Sequence, residues 1–426
     1  MNPGTYYAAS AGASPARPAL RGRVDAHVCV IGGGFAGLAT AAGLVERGLH
    51  DVVILEGETV GHGASGRNGG FVFGGFSLDN AQLLADQGSA GARAMYGLTR
   101  EAVATIRRRI RQHGIACDAV EGGVVLANWF DDDAILRKRQ EFMAREFDVH
   151  WQLLSHDELG AYTRSQRYAG GLLEPDAFHF HPLKYARGLA AVIERAGVRI
   201  FEQSRVTRTV APRTPDGGHD VHTARGVVHA RHVVVAGGGY LRGLSAPLER
   251  AMLPIATYVM ATEPLGAGKL DASIPGRAAI YDTRFSFDYY RTLPDTRILW
   301  GGRISILDRA AAPIARLLKR DLCKVYPELH DVKVDYAWGG LMSYARHQMP
   351  QIGRLPDGTW HALGFGGHGV GPTTAAGELI ADAIAGGTPI PAGFARYGLD
   401  RVWGPAGKLA AQTKYNWYEF KDWMNA

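Results

Sequence analysis

The chain is short of the residues that mark several protein classes. Its 426 residues hold only three cysteines, Cys29, Cys117 and Cys323, far apart and spaced for neither a zinc site nor a disulfide framework. Cys29 lies within an apolar run and reads as packing, so a reducing cytoplasm is the expected location. No apolar run reaches membrane-spanning length, and the opening MNPGTYYAASAGASPARPALRGR lacks the apolar core of a signal peptide. His179 and His181 are the nearest approach to a metal-ligand pair, but Pro182 follows directly and packing explains them; no metal is expected. Charge is also modest: Lys plus Arg exceed Asp plus Glu by 47 − 41 = 6. The densest basic run, Arg107, Arg108, Arg109 and Arg111, shares EAVATIRRRIRQHG with Val103, Ile106 and Ile110 at helical spacing. Those arginines read as the solvated face of an amphipathic helix. Without interleaved aromatics they do not make a nucleic-acid stripe, so neither nucleic acid nor membrane is an expected partner.

What is present is ample apolar content: 46% of the chain, enough for two core-sized bodies. Helical and strand-like patterns alternate, which predicts an α/β fold. Near the start, HVCVIGGGFAGLATAAGLVERGLHDVVILEGE joins an apolar strand at 27–31, a Gly-rich turn, a helix at 38–47 and a second strand ending at Glu56. Gly32, Gly34 and Gly37 form G-x-G-x-x-G. Gly32 permits the tight turn, Gly34 lets a pyrophosphate approach, and Gly37 lets helix and strand pack closely. The helix N-terminus offers N–H groups to the anion. Glu56, nineteen residues after Gly37, is placed for a ribose hydroxyl, with Glu58 the alternative. The acid argues against a 2′-phosphate. The pattern predicts a dinucleotide site.

Next comes GHGASGRNGG, residues 61–70, in which five of ten positions are glycine. So Gly-rich a run persists where backbone turns sharply or approaches something closely. Ala64, Ser65, Gly66, Arg67, Asn68, Gly69 and Gly70 can give N–H groups to phosphates and edge contacts to a flavin. A simple NAD dehydrogenase would ordinarily continue into another strand–helix unit, so FAD is expected.

With VGHGASGRNGGFV and the later WHALGFGGHGVGPTTAAGELIADAI, the chain resembles the FAD-dependent D-amino-acid oxidase and glycine oxidase superfamily, within it the γ-glutamylputrescine oxidase group. TYYAAS, HFHPLKYARGLA, VVVAGGGYL and YYRTLPDTRILWGGR extend the likeness over nearly the whole chain. The resemblance implies a discontinuous Rossmann-type FAD domain with an inserted substrate domain on a mainly antiparallel sheet. The expected division is an N-terminal extension at 1–23, FAD-binding segments at 24–90, 160–245 and 335–395, substrate segments at 91–159 and 246–334, and a tail at 396–426. Val206 matches the family position whose backbone meets adenine. HVVVAGGGYL, with Gly237, reads as a strand returning beside the cofactor, because Arg242 stands where a third fingerprint Gly belongs. RTPDGGHD reads as a turn, LPDGTW as a hairpin, and YNWYEFKDWMNA as surface packing or a subunit contact. Gly367, His368 and Gly369 open a helix from Pro372, with Thr373 in its first turn. That N-terminus faces the flavin carbonyl in the implied arrangement.

The implied chemistry is hydride transfer from the carbon of a neutral amine to FAD. Imine hydrolysis follows, and molecular oxygen is the expected acceptor, giving hydrogen peroxide. Superfamily amino-acid oxidases carry an Arg in GLRP, ahead of P-x-I-G, that clamps the substrate α-carboxylate. In GGLMSYARHQMPQIGR that place falls to Met342, and Arg346 is out of register. A thioether cannot hold a carboxylate, so an amine without an adjacent carboxylate is favoured. Relatives that tether FAD use a Cys here or a His earlier. WGGLMSYA has no Cys and His62 is one residue off register, so FAD is expected to be non-covalent. Tyr289, Tyr290, Arg291 and Arg303 are the substrate-side candidates: an arginine for a distal carboxylate, a tyrosine to orient the amine. Tyr290, Arg291 and His368 are the catalytic candidates. Two other functions remain open: oxidation of an N-substituted or unusual amino acid, and a flavoprotein that binds nucleic acid.

Overall fold

The computed structural model describes residues 4–424 apart from 213, 215, 216 and 308. The turn expected at RTPDGGHD therefore lies partly outside the described residues. Two eight-stranded sheets dominate. The first runs in the order Gln351–Arg354, Trp360–Leu363, Gly226–Val235, Gly22–Ile31, Val52–Leu55 and Arg199–Phe201, with His219–Thr223 and Val206–Val210 added beside Gly226–Val235. Its central four contacts are parallel. Parallel strands are covered on both faces and so read as unbroken apolar runs. Val28–Ile31, Val52–Leu55 and Val233–Val235 are all buried.

Helices Phe35–Glu46 and Val370–Gly386 lie against each other beside this sheet. Their close approach needs small residues: a Cβ on Gly377 would stand 2.6 Å from the Thr40 amide nitrogen. Helix Pro182–Arg195 opens on Pro182, which takes the first-turn position where its missing N–H costs nothing. The GGG after Val235 leads into a short 3-10 turn at Gly238–Tyr240, in place of a nucleotide-binding helix. The hairpin at LPDGTW joins antiparallel strands as expected.

The second sheet runs Val334–Tyr344, Leu253–Thr262, Ile298–Ser305, Asp288–Thr292, Ala279–Asp282, Val124–Ala127, Gly171–Glu174, Gln152–Leu154. All its pairs are antiparallel except Ala279–Asp282 with Val124–Ala127. Strands Gly171–Glu174 and Val334–Tyr344, from segments the sequence grouped with the cofactor-binding part, hydrogen-bond here instead. Helix Ala311–Val325 covers one face, burying Ile314, Leu318 and Leu322 against Trp300 and Met260. The other face looks toward the first sheet across a cavity.

The long helix Asn80–His113 bends at Gly88, whose φ of 68° no ordinary helical residue adopts. Arg109 corrects the sequence reading of a uniformly solvated basic face. It is 0% exposed and donates to Glu46 and Glu378, while Arg108 and Arg111 stay exposed. The C-terminal residues form helix Gly404–Met424, which packs against strand Leu253–Thr262 of the second sheet. No helix among the described residues is long and apolar enough to cross a membrane.

Candidate active site

The cavity between the two sheets has a volume of about 1220 Å³. Its first wall starts from the glycine turn. Gly32 has φ +116°, and a Cβ there would come 2.6 Å from the Ala236 carbonyl oxygen. A Cβ on Gly37 would lie 2.0 Å from the Gly32 oxygen, so strand and helix meet only because both are bare. Glu56 ends the second strand. One oxygen accepts from the Gly33 N–H at 2.7 Å and the other from the Glu58 N–H at 2.8 Å. Burial raises its pKa against those two amides. Glu58, the alternative for the ribose, pairs with Arg205 at 3.0 Å and is exposed to solvent on that side.

The 61–70 segment is a rigid loop whose polar side chains hold its own shape. Ser65 Oγ caps helix Phe35–Glu46 by accepting from the Phe35 N–H at 2.8 Å. Asn68 Nδ2 donates to the Ala64 and Ser65 carbonyls, both at 3.0 Å, and its Oδ1 accepts from the Gly70 N–H at 2.8 Å. Arg67 Nε donates to the His62 carbonyl at 2.8 Å, and Trp338 Nε1 donates to the Arg67 carbonyl at 2.9 Å. Ala64, Ser65, Arg67, Asn68 and Gly69 reach the cavity; Gly37, Gly66 and Gly70 stand behind the wall. There they allow close approach: Cβ atoms on Gly66 and Gly70 would lie 2.2 Å and 2.1 Å from the Gly61 and Phe180 oxygens. Val206 and Gly237 also line the cavity, as do Gly367, His368, Gly369 and Thr373 at the start of helix Val370–Gly386.

The opposite wall is the second sheet. Side chains alternate between its faces, so neighbours in sequence part company. Tyr289 lines the cavity, in space left by Gly301, where a Cβ would fall 2.1 Å from its ring. Met342 lines it too, its sulfur 3.7 Å from where a Cβ of Gly367 would be. Tyr290, expected at the site, is on the far face. It stacks on Trp300 with ring centroids 4.4 Å apart and hydrogen-bonds the Tyr326 hydroxyl at 3.1 Å.

Arg291 is also outside the cavity. It is 2% exposed and donates to the Gly69 carbonyl at 2.7 Å, the Phe180 carbonyl at 2.9 Å and the Tyr7 hydroxyl at 3.2 Å. It therefore clamps the Gly-rich loop to the N-terminal helix and has no donor directed at a substrate. Arg303 lines the cavity, but both arms of its fork meet Asp321 at 2.8 Å and it also pairs with Glu419. His179 and His181 are pushed down to about 3 by burial, with the Arg291 charge adding to it, so both are neutral. Burial pushes His368 down to about 4; its ring lies 4.0 Å from that of Phe73.

Sequence reasoning missed several charged residues on this cavity, among them Glu174 at the end of strand Gly171–Glu174 and Arg139 on helix Asp133–Phe147. The signal for Glu174 was an acid closing an otherwise apolar strand, GLLE. It also missed Gln412, Lys414 and Tyr415, through which the C-terminal helix closes one side of the cavity.

A strand–glycine turn–helix with an acid on the next strand, facing a second sheet across a cavity, defines a dinucleotide-binding protein. The chain belongs to the DAO family of FAD dependent oxidoreductases, whose model matches residues 27–383. It is 37% identical over 383 residues to the gamma-glutamylputrescine oxidoreductase of Escherichia coli (strain K12), covering 90% of this chain and 89% of that one. It is 32% identical to the probable oxidoreductase OrdL of Haemophilus influenzae, covering 95% and 94%. The glycine oxidase from Geobacillus kaustophilus shares the fold, with a TM-score of 0.73 at 22% identity over 89% of this chain and 100% of that one. FAD is the cofactor, and the first wall fits it. The bare turn at Gly32–Gly34 leaves room for a pyrophosphate at the Phe35 helix N-terminus, and Glu56 offers carboxylate oxygens where a ribose would lie.

Proposed function

We propose that the protein oxidises the C–N bond of a primary amine carrying no carboxylate on the reacting carbon, a compound of the γ-glutamylputrescine kind. The observation that carries this reading is Met342. Its thioether faces the cavity beside Gly367, where a superfamily amino-acid oxidase would place a guanidinium, and neither it nor Tyr289 carries a positive charge to neutralise a carboxylate. Arg291 and Arg303, the nearby cations on the same sheet, are consumed by protein partners. A carboxylate brought there would be buried unpaired, which is costly. The likeness to the gamma-glutamylputrescine oxidoreductase of Escherichia coli supports the same substrate class.

FAD, when bound, supplies the two-electron acceptor for hydride leaving the carbon of a neutral amine, with molecular oxygen the final acceptor and hydrogen peroxide a product. The chain's own part is positioning and exclusion of water. Phe73, Tyr281 and Tyr289 make an apolar enclosure, in which an amine loses its proton more readily than in water. His368, neutral above about pH 4, adds no competing positive charge. Glu56, Val206 and the loop at 64–69 would hold the cofactor, without a covalent bond.

A second reading, oxidation of an N-substituted or unusual amino acid, is favoured by Arg346, which reaches the cavity and has no ion pair among the described residues. Anaerobic bleaching of the flavin by a panel of polyamines, γ-glutamylated polyamines and amino acids, followed by peroxide detection in air, separates the two. Amines should reduce the flavin fast and amino acids slowly. Acid precipitation should leave the flavin in the supernatant; colour in the pellet would contradict non-covalent binding and point to His62.

A further inference from the structure

Most charged side chains on the cavity wall already have partners. Arg303 holds Asp321 and Glu419, Arg284 holds Asp282 and Asp288, and Glu58 holds Arg205. Glu174 and Arg139, like Arg242, Arg346 and Lys414, are different. Both line the cavity, and neither makes an ion pair among the described residues. Glu174 ends a strand of the second sheet, half-buried, with the Gly74 amide as its hydrogen-bonding neighbour. Arg139 leans from helix Asp133–Phe147 over the ring of Trp151, 5.8 Å from its centroid, and Trp151 is itself part of the wall. Arg139 is an exposed residue whose side chain reaches the cavity lining beside Trp151.

Resting on the amine-oxidase reading, we propose that Glu174 and Arg139 together recognise an α-amino-acid head at the far end of the substrate, Glu174 taking its ammonium and Arg139 its carboxylate. A γ-glutamyl group presents those two charges on one carbon, several bonds from the amine to be oxidised. Glu174 and Arg139 bring opposite signs to the wall from two elements facing one cavity. An isolated carboxylate kept out of water is unfavourable as an ion; burial accordingly pushes Glu174 up to about 7. An ammonium docked against it restores the charged form and gives a charge-assisted hydrogen bond. A guanidinium braced on an indole ring is suited to the planar fork of a carboxylate. Glu174 and Arg139 are on this account specificity-determining residues, apart from the reacting carbon.

The test uses the FAD-loaded enzyme and four putrescine amides: γ-glutamyl, glutaryl (carboxylate only), 4-aminobutyryl (ammonium only) and butyryl (neither). For wild type the ratio of kcat/KM for the γ-glutamyl over the butyryl substrate should be about a hundred, two charged contacts at about tenfold each. Glu174→Gln should cut that ratio about tenfold and remove the advantage of the aminobutyryl substrate. Arg139→Gln should do the same for the glutaryl substrate. Arg137→Gln, at a cation on the same helix that does not line the cavity, should leave the ratio unchanged. Binding of γ-glutamyl-n-butylamide, which lacks the reacting amine, is measured in parallel by calorimetry and should weaken about tenfold in each of the two variants. Equal losses for all four substrates, or unaltered binding of the butylamide, would overturn the assignment. So would a preference for free putrescine that Arg139→Gln leaves untouched. If wild type binds the butylamide but oxidises none of the amides, the amine-oxidase reading fails while the head site stands. If it oxidises the butyryl amide and does not bind the butylamide, the reverse holds.

Discussion

From Ile31 to Asn68, and again at Gly237–Gly239, the cavity is lined by backbone held in shape by short polar side chains. Along the second sheet it is lined by tyrosines, a methionine and arginines. The first wall depends on the absence of side chains, and a single methylene spoils it. The second depends on which long side chain finds which distant partner, and single changes are absorbed or re-paired. A cofactor common to many relatives suits the first construction, and a substrate peculiar to one suits the second.

The largest effect is expected on the first wall. Gly66→Val places a side chain where even a Cβ lies 2.2 Å from the Gly61 oxygen, with the backbone of the loop unable to move aside. Flavin content, read as visible absorbance per chain, should fall to near zero. Gly97→Ala, where a Cβ meets nothing within 4 Å, should load normally. Full FAD content in Gly66→Val would remove the distinction between the walls.

Next comes Arg109, which shares a basic run with Arg111 and has a different fate. Arg109→Leu removes the buried cation shared by Glu46 and Glu378, which keep only Arg108 and Arg47, and should lower unfolding free energy by about 2 kcal/mol. Arg111→Gln, at an exposed pair, should change it by less than about 0.5 kcal/mol. Chemical denaturation measures both.

A smaller, pH-dependent effect is expected at Glu174. Its folded pKa of about 7 lies above the ordinary value of 4.5, so the folded chain keeps this proton longer than the unfolded chain. Unfolding then releases a proton between those values, and stability falls as pH rises through them. Melting temperatures of wild type and Glu174→Gln should converge near pH 4.5 and separate by pH 8, with the variant higher. A constant difference across that range would contradict it.

The smallest effect concerns the C-terminal helix. Glu419→Gln loosens its pairing with Arg303 but leaves Asp321 in place and should cost under about 1 kcal/mol.

The same contrast governs what was legible in the sequence. The strand–turn–helix at 27–56 and the loop at 61–70 were readable because their glycines are spaced in a short local pattern, even where the atoms they approach, such as the Ala236 and Phe180 oxygens, lie far off in the chain. Even there Ser65 and Asn68 proved to be fasteners of their own loop, since a hydroxyl or amide that satisfies a backbone group looks the same in sequence as one that contacts a ligand. Tyr289 and Tyr290 could not be told apart without knowing which face of the strand met the helix Ala311–Val325. Arg291 was misread because its acceptors, the Gly69 and Phe180 carbonyls, lie 222 and 111 residues away in the chain. Glu174 went unnoticed because an acid at a strand end is ordinarily solvated. The aromatic C-terminal segment was read as surface packing, and nothing in its composition announced that Tyr415 would be buried over the cavity with its hydroxyl on Ser286.

The central claim is that the Met342 side of the cavity accepts a carbon bearing an amine and rejects one bearing an amine and a carboxylate. Its most direct test is the rate of anaerobic flavin reduction by an N-acylputrescine and by the analogue with a carboxylate on the carbon to be oxidised. The amine should win by roughly a hundredfold in kcat/KM, about 2.7 kcal/mol of transition-state stabilisation. Equal rates, or a faster amino acid, would contradict the account and assign the carboxylate to Arg346.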